Sequence, residues 1–316
     1  MNRVYISIFI LLLGVSCTTI TKKEVDVSNI KVSVNIDRFE QKFYTANKKT
    51  LPNIEKEYPY LFPVKNDSIW LNKIKNEAEL FQETQNVFKN IDTVKKQIIN
   101  LFKHVKHYHS SFKPPKIITL ITNLDYENKV IYADSLLFVS LDMYLGKNSN
   151  VYNDFPKYLS QNFDKSQLVV DIATAISERY FIPDRSRQFL NLIINEGKKM
   201  YLLDRYLPTF SDAQKMGYTQ DQIGWTIANE SQLWKYFIEN KLLYSTNADL
   251  LTRFIANAPF SKFYIDIDKE SPGRIGVWLG WQIVRSYMNN NNVTLQELLQ
   301  TNAEEIFKKS KYKPKK

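Results

Sequence analysis

The sequence predicts an α+β fold, mostly helical, with a small mixed sheet packed beside a larger helical body. Three observations predict it. Apolar residues recur every three or four positions between residues 67 and 109. Short β-branched runs replace that pattern between 116 and 141. From about residue 164 onward every segment reads as helix. A chain that is 44% hydrophobic and 14% aromatic suffices to close a sizeable core. With only eight glycines and no Gly/Ser linker, residues 31–316 are expected to form a single globular domain.

At the N-terminus, Asn2 and Arg3 precede an apolar run from Val4 to Leu13, interrupted only by Tyr5 and Ser7. About ten residues of helix span ~15 Å, half a bilayer core. Such a run fits the core of a signal peptide over residues 1–16 better than a membrane span. Gly14, Val15 and Ser16 then lead to Cys17, the only cysteine in the chain. It has no partner for an intramolecular disulfide. Its place in Leu13-Gly14-Val15-Ser16-Cys17 marks it as the lipidated residue of a lipobox, although Leu stands four places before the cysteine instead of the usual three. Two or three acyl chains anchor a protein effectively permanently, at ~0.8 kcal/mol per buried methylene. The polar residues up to about 30 would serve as a tether. Because Thr18-Thr-Ile-Thr is not acidic, the expected location is the periplasmic side of a membrane, the outer one by preference.

In the body, Val32–Asp37 alternates as a short strand, and 67–86 and 91–109 read as helices. In the second helix Ile91, Val94, Ile98, Leu101, Phe102 and Val105 share one face. Pro114-Pro115 ends it. Lys116–Thr122, Val130-Ile-Tyr-Ala-Asp and Leu136–Leu141 supply the strands. The helical half divides into 165–181, 185–206, 219–229, 230–242, 246–256, 274–290 and 294–309. Asp184, Thr219, Asn229 and Thr294 stand as start signals. Gly276 and Gly280, four apart, make the 274–290 helix one that a neighbouring backbone approaches closely. Trp278, Trp281, Phe260 and Phe263 would line a groove if that helix were not simply buried.

The formal charge of +10 owes six units to lysines in residues 308–316, so the body carries an ordinary excess of +4. That basic tail suits an anionic surface, or is a solvated terminus. No nucleic-acid motif accompanies it. His104, His107 and His109 fall in one stretch, and helix-end polarity explains them better than a metal site. No His-Glu-x-x-His, Gly-x-Ser-x-Gly elbow, phosphate loop or dinucleotide fingerprint occurs. Carboxylates remain: Glu178, Glu196, Glu230, Asp266, Asp268 and Glu270 could supply an acid/base pair. No catalytic residue, metal or cofactor is assigned from the sequence.

Ala258-Pro-Phe-Ser-Lys-Phe-Tyr, followed by Pro272-Gly-Arg-Ile-Gly-Val-Trp-Leu-Gly-Trp-Gln-Ile-Val-Arg-Ser-Tyr-Met, resembles the gliding-motility lipoprotein B (GldB-like) family of the Bacteroidetes. Asn195-Glu-Gly-Lys-Lys-Met-Tyr, Gly217-Tyr-Thr-Gln-Asp-Gln-Ile-Gly-Trp and Asn229-Glu-Ser-Gln-Leu-Trp carry the resemblance along nearly the whole chain. It implies a non-enzymatic lipoprotein of the cell-envelope gliding machinery, linked to type IX secretion, with other proteins of that machinery as partners. A fainter likeness, in the order of strands, the Asp171-Ile-Ala-Thr-Ala-Ile-Ser-Glu helix and Asn195-Glu-Gly, is to zincin-type metallopeptidases. The histidine ligands of that class are absent here, and Glu196 alone would not hold zinc. The likeness implies a peptidase-like scaffold that lost catalysis and kept a cleft for binding. The alternative function is an envelope hydrolase, acting on peptidoglycan or peptides through cleft carboxylates. A lipoprotein binding a small ligand near Trp278 and Trp281 is a third reading.

Overall fold

A computed structural model describes residues 25–314 except Asp134. Cys17 and the segment before it lie outside the described residues. Four strands form one mixed sheet: β1 (Ile36–Asp37), β2 (Lys116–Leu120), β3 (Val130–Ala133) and β4 (Leu136–Ser140), in the order β1-β2-β4-β3. β2 runs parallel to both β1 and β4, and β3 is antiparallel to β4. The helices are α1 (Phe39–Tyr44), α2 (Leu51–Glu57), α3 (Asp67–Asn76), α4 (Ala78–Val87), α5 (Asp92–Tyr108), α6 (Lys157–Ser160) and α7 (Leu168–Tyr180). They continue with α8 (Phe189–Tyr206), α9 (Asp212–Met216), α10 (Gln220–Glu239), α11 (Asp249–Phe254), α12 (Ile275–Asn290), α13 (Leu295–Gln300) and α14 (Ala303–Ser310).

The expected mostly helical α+β architecture is present, and β2 explains how it is layered. Neighbouring side chains on a strand face opposite ways. Ile117 enters the large core formed with α5, α7, α8 and α12, whereas Ile118 enters a smaller one formed by α1–α4. Both are fully buried, which is why this strand is a continuous apolar run and not an alternating one. The sheet therefore lies between the large helical body and a thin helical layer, of which the sequence reading assigned only the 67–86 helix. That layer is held by aromatic contacts such as Phe39 against Tyr58 and Phe62 against Trp70, with ring centroids 5.0 and 5.1 Å apart.

α12 is the central helix and packs most closely on α8. A Cβ added at Gly280 would lie 1.8 Å from the Ile193 carbonyl oxygen, and one at Gly197 would lie 2.3 Å from the Gly280 oxygen. The two backbones touch because neither helix carries a side chain at the crossing. Trp278, Trp281 and Phe263 are buried, so the aromatic groove considered for them does not form. Trp278 lies edge-on to Trp281, and their indole N–H groups reach Glu230 and Asp204.

Several element boundaries move. The ladder of β1 covers only Ile36–Asp37, because β2 offers β1 partners for two residues. The 67–86 helix breaks at Glu77, whose carboxylate is claimed by Lys73 and the Tyr44 hydroxyl. α8 starts at Phe189, four residues later than expected. Asp184 caps no helix: it accepts from the Ser186 backbone N–H and from the Asn191 amide, fixing the preceding loop. Asn229 starts nothing either, since α10 runs unbroken through it. Its side chain donates back to the Trp225 carbonyl, four residues earlier. Thr219 and Thr294 do cap, each in a reciprocal box with Gln222 or Glu297. The last expected helix is two, α13 and α14, with Asn302 capping the second.

Candidate functional site

α7 buries Leu168, Val169, Ile172, Ala173 and Ile176, so its other face, with Asp171, Thr174 and Glu178, turns outward. α8 presents Glu196, Lys199, Met200 and Leu203 at matching helical spacing. Together with the segment before β3, the end of α9 and the residues around Arg274, these faces enclose a polar cleft of about 710 Å³.

Most charges on the cleft walls are paired with one another. Asp171 is paired with Lys129 and accepts a hydrogen bond of 2.8 Å from the Tyr144 hydroxyl. Burial and the Asp171 charge push that phenol well above its ordinary range. Lys199 bridges Glu178 at 2.9 Å and Glu196 at 2.7 Å. Burial works against its charge, but the two carboxylates outweigh burial and raise its pKa, so the ammonium keeps its proton. Lys215 binds Asp204 at 2.9 Å. Asp204 also takes two guanidinium bonds from Arg285 and the Trp281 indole N–H. Burial alone would raise the Asp204 pKa, and the Arg285 and Lys215 charges bring it below the usual carboxylate range instead.

Of the six carboxylates read from the sequence, only Glu178 and Glu196 reach the cleft. Glu230 is buried in the middle of α10, where it accepts from Trp278 and Tyr312. Asp268 receives the backbone N–H groups of Phe263 and Tyr264, while Asp266 and Glu270 are exposed on that same loop. The histidines go elsewhere. His104 is buried in α5, His107 is exposed, and His109 stacks on Tyr180 at 3.7 Å with Nε2 2.6 Å from the Tyr206 hydroxyl. Among the described residues no three His, Cys, Asp or Glu side chains converge as a metal site. The sequence reading missed Lys129, Lys199, Lys215 and Arg274. Lys199 alone left a signal, its spacing of three from Glu196.

The family of the gliding motility protein GldB matches residues 20–314. The chain belongs to the GldB family. Its work therefore lies in gliding motility, and the family label, GldB_lipo, marks lipoproteins. No match exists among curated proteins or solved structures, so the fainter likeness of this GldB-family chain to zincins finds no support there. No helix among its described residues is long and apolar enough to cross a membrane.

Proposed function

We propose that this GldB-family protein is a lipid-anchored, non-enzymatic component of the cell-envelope gliding machinery, itself linked to type IX secretion, and that its cleft is a binding groove. Cys17 carries the lipid, residues 18–30 are the tether, and 31–316 form one body on the periplasmic side of the outer membrane. Other proteins of the machinery are its partners. The observation that carries the non-enzymatic reading is the pairing of Asp171, Glu178 and Glu196 with fixed lysines in the cleft. Acid/base catalysis needs carboxylates whose environments push their pKa values apart. Here Asp171, Glu178 and Glu196 are each held by a lysine, which weighs against the envelope-hydrolase alternative.

Labelled palmitate and a Cys17→Ala strain test the anchor. The wild-type protein is expected to take up label and to support spreading over a surface. The variant is expected to take up none and to spread poorly. Unlabelled mature protein, or normal spreading by the variant and by a deletion strain, overturns the proposal.

A further inference from the structure

A small recess of about 30 Å³ opens off the cleft beside Arg274. Its neighbours are unlike the rest of the cleft. Lys129, Lys199 and Lys215 each spend their charge on a carboxylate. Arg274 has no carboxylate within ion-pair distance among the described residues. One terminal nitrogen, Nη1, donates to the Met216 carbonyl at 3.0 Å, and this leaves the Nε–Nη2 edge without a protein acceptor among those residues. The side chains of Tyr158, Asn162 and Asn257 line the same recess and likewise make no hydrogen bond among the described residues. Gly217 forms its wall with φ +69°, and a Cβ there would meet the Asn162 amide nitrogen at 2.7 Å.

Arg274 is held in place at some cost. Its φ of 64° lies in the left-handed region that non-glycine residues rarely occupy. The turn before it is clamped from two sides. The Tyr218 hydroxyl donates to the Gly273 carbonyl, and the Ser261 hydroxyl oxygen accepts the Ile275 N–H. Gly273 lies so close to the Ala258 carbonyl that a Cβ would come within 2.2 Å of it. An over-determined, unfavourable backbone at an arginine that lines a recess and keeps one guanidinium edge unpaired among the described residues is a binding geometry. A planar pair of N–H donors matches a carboxylate, and about 30 Å³ is room for one small polar group.

We propose that this recess takes the C-terminal carboxylate of a peptide chain, while the rest of the peptide lies along the cleft. Paired charges and side-chain hydroxyls along the walls suit peptide amides. An anionic glycan would call for broad aromatic faces, and only Tyr126 and Tyr158 offer them there. The inference rests on reading the cleft as a binding groove.

The test uses the full chain in lipid nanodiscs and saturation-transfer NMR. The probes are a degenerate pool of N-acetyl tetrapeptides with free C-termini, the same pool amidated, and oligogalacturonate. The free-acid pool is expected to bind about tenfold more tightly than the amide pool, as loss of one charge-assisted pair implies. Arg274→Gln, with an unchanged melting temperature as its folding control, is expected to abolish the difference. Asn257→Ala, which removes an exposed side-chain donor from the recess, is expected to weaken free-acid binding several-fold and serves where Arg274→Gln does not fold. Equal binding of both pools, no binding of either, a preference that survives Arg274→Gln, or Arg274-dependent capture of oligogalacturonate alone would each overturn the proposal. None of these readouts involves palmitate or motility, so its failure and that of the anchoring proposal are told apart.

Discussion

His109 shows how much a single residue's surroundings decide. In the sequence it is the last of three clustered histidines at the end of a helix, which reads as a solvated polar terminus. In the fold its ring is sandwiched under Tyr180 and hydrogen-bonded to Tyr206, and burial brings its pKa from 6.5 down to about 4. Between those two values an unfolded chain takes up a proton that the folded chain refuses. The stability tied to His109 is therefore full above pH 6.5 and is lost as pH falls toward 4. Replacing His109 with Gln keeps a partner for the Tyr206 hydroxyl and removes the titration. Denaturant midpoints measured from pH 7 to pH 4 are expected to fall less steeply in this variant than in the wild type. Parallel curves would mean that the imidazole is protonated in the folded protein after all.

Helices behave differently, because their faces are written in the sequence while their ends and neighbours are not. The stripe on α5 was legible and is buried as expected at Val94, Ile98, Leu101, Phe102 and Val105. So were the capping boxes at Thr219 and Thr294, where the whole signal lies within four residues. Asn229 and Asp184 misled for a common reason: each carries a cap-forming side chain that instead bonds a nearby partner, and only the packed structure decides which use wins. Of the thin layer α1–α4 only the 67–86 segment was legible; α1 and α2, six and seven residues long, have too few turns to establish a period. Gly276 and Gly280 were read correctly as a close-approach face, and that contact can be tested directly. Gly280→Ala forces a methyl against the Ile193 carbonyl and is expected to cost about 3 kcal/mol. Gly224→Ala, on the exposed side of α10 with open space around it, is expected to gain up to about 1 kcal/mol. Urea unfolding of the two variants beside wild type checks both; a Gly280→Ala protein of undiminished stability would mean that α8 and α12 can separate freely.

At the scale of the whole molecule, the cleft joins side chains more than a hundred residues apart, from Lys129 to Arg274, and for that reason sequence spacing revealed only Glu178 and Glu196. The same assembly gives the basic C-terminus a second role. Lys308 and Lys309 belong to the last turn of α14 and pair with Glu304 and Glu305. Beyond them Lys311 turns left-handed at φ 52°, and Tyr312 docks edge-on to Trp234 with its hydroxyl 2.8 Å from Glu230. Glu230 in turn accepts from the Trp278 indole, so one buried carboxylate ties α10, α12 and the end of the chain together. Burial and the Glu230 charge hold the Tyr312 phenol above its ordinary pKa, so it remains a donor. Tyr312→Phe removes one donor from a buried carboxylate and is expected to cost about 2 kcal/mol. Deleting residues 313–316, which removes three lysines and a proline, is expected to change stability by less than about 0.5 kcal/mol. Chemical denaturation of both proteins separates a strap anchored at Tyr312 from a tail held by charge. If the deletion proved the more damaging, the lysines and not the phenol would be holding the end of the chain against the helical body.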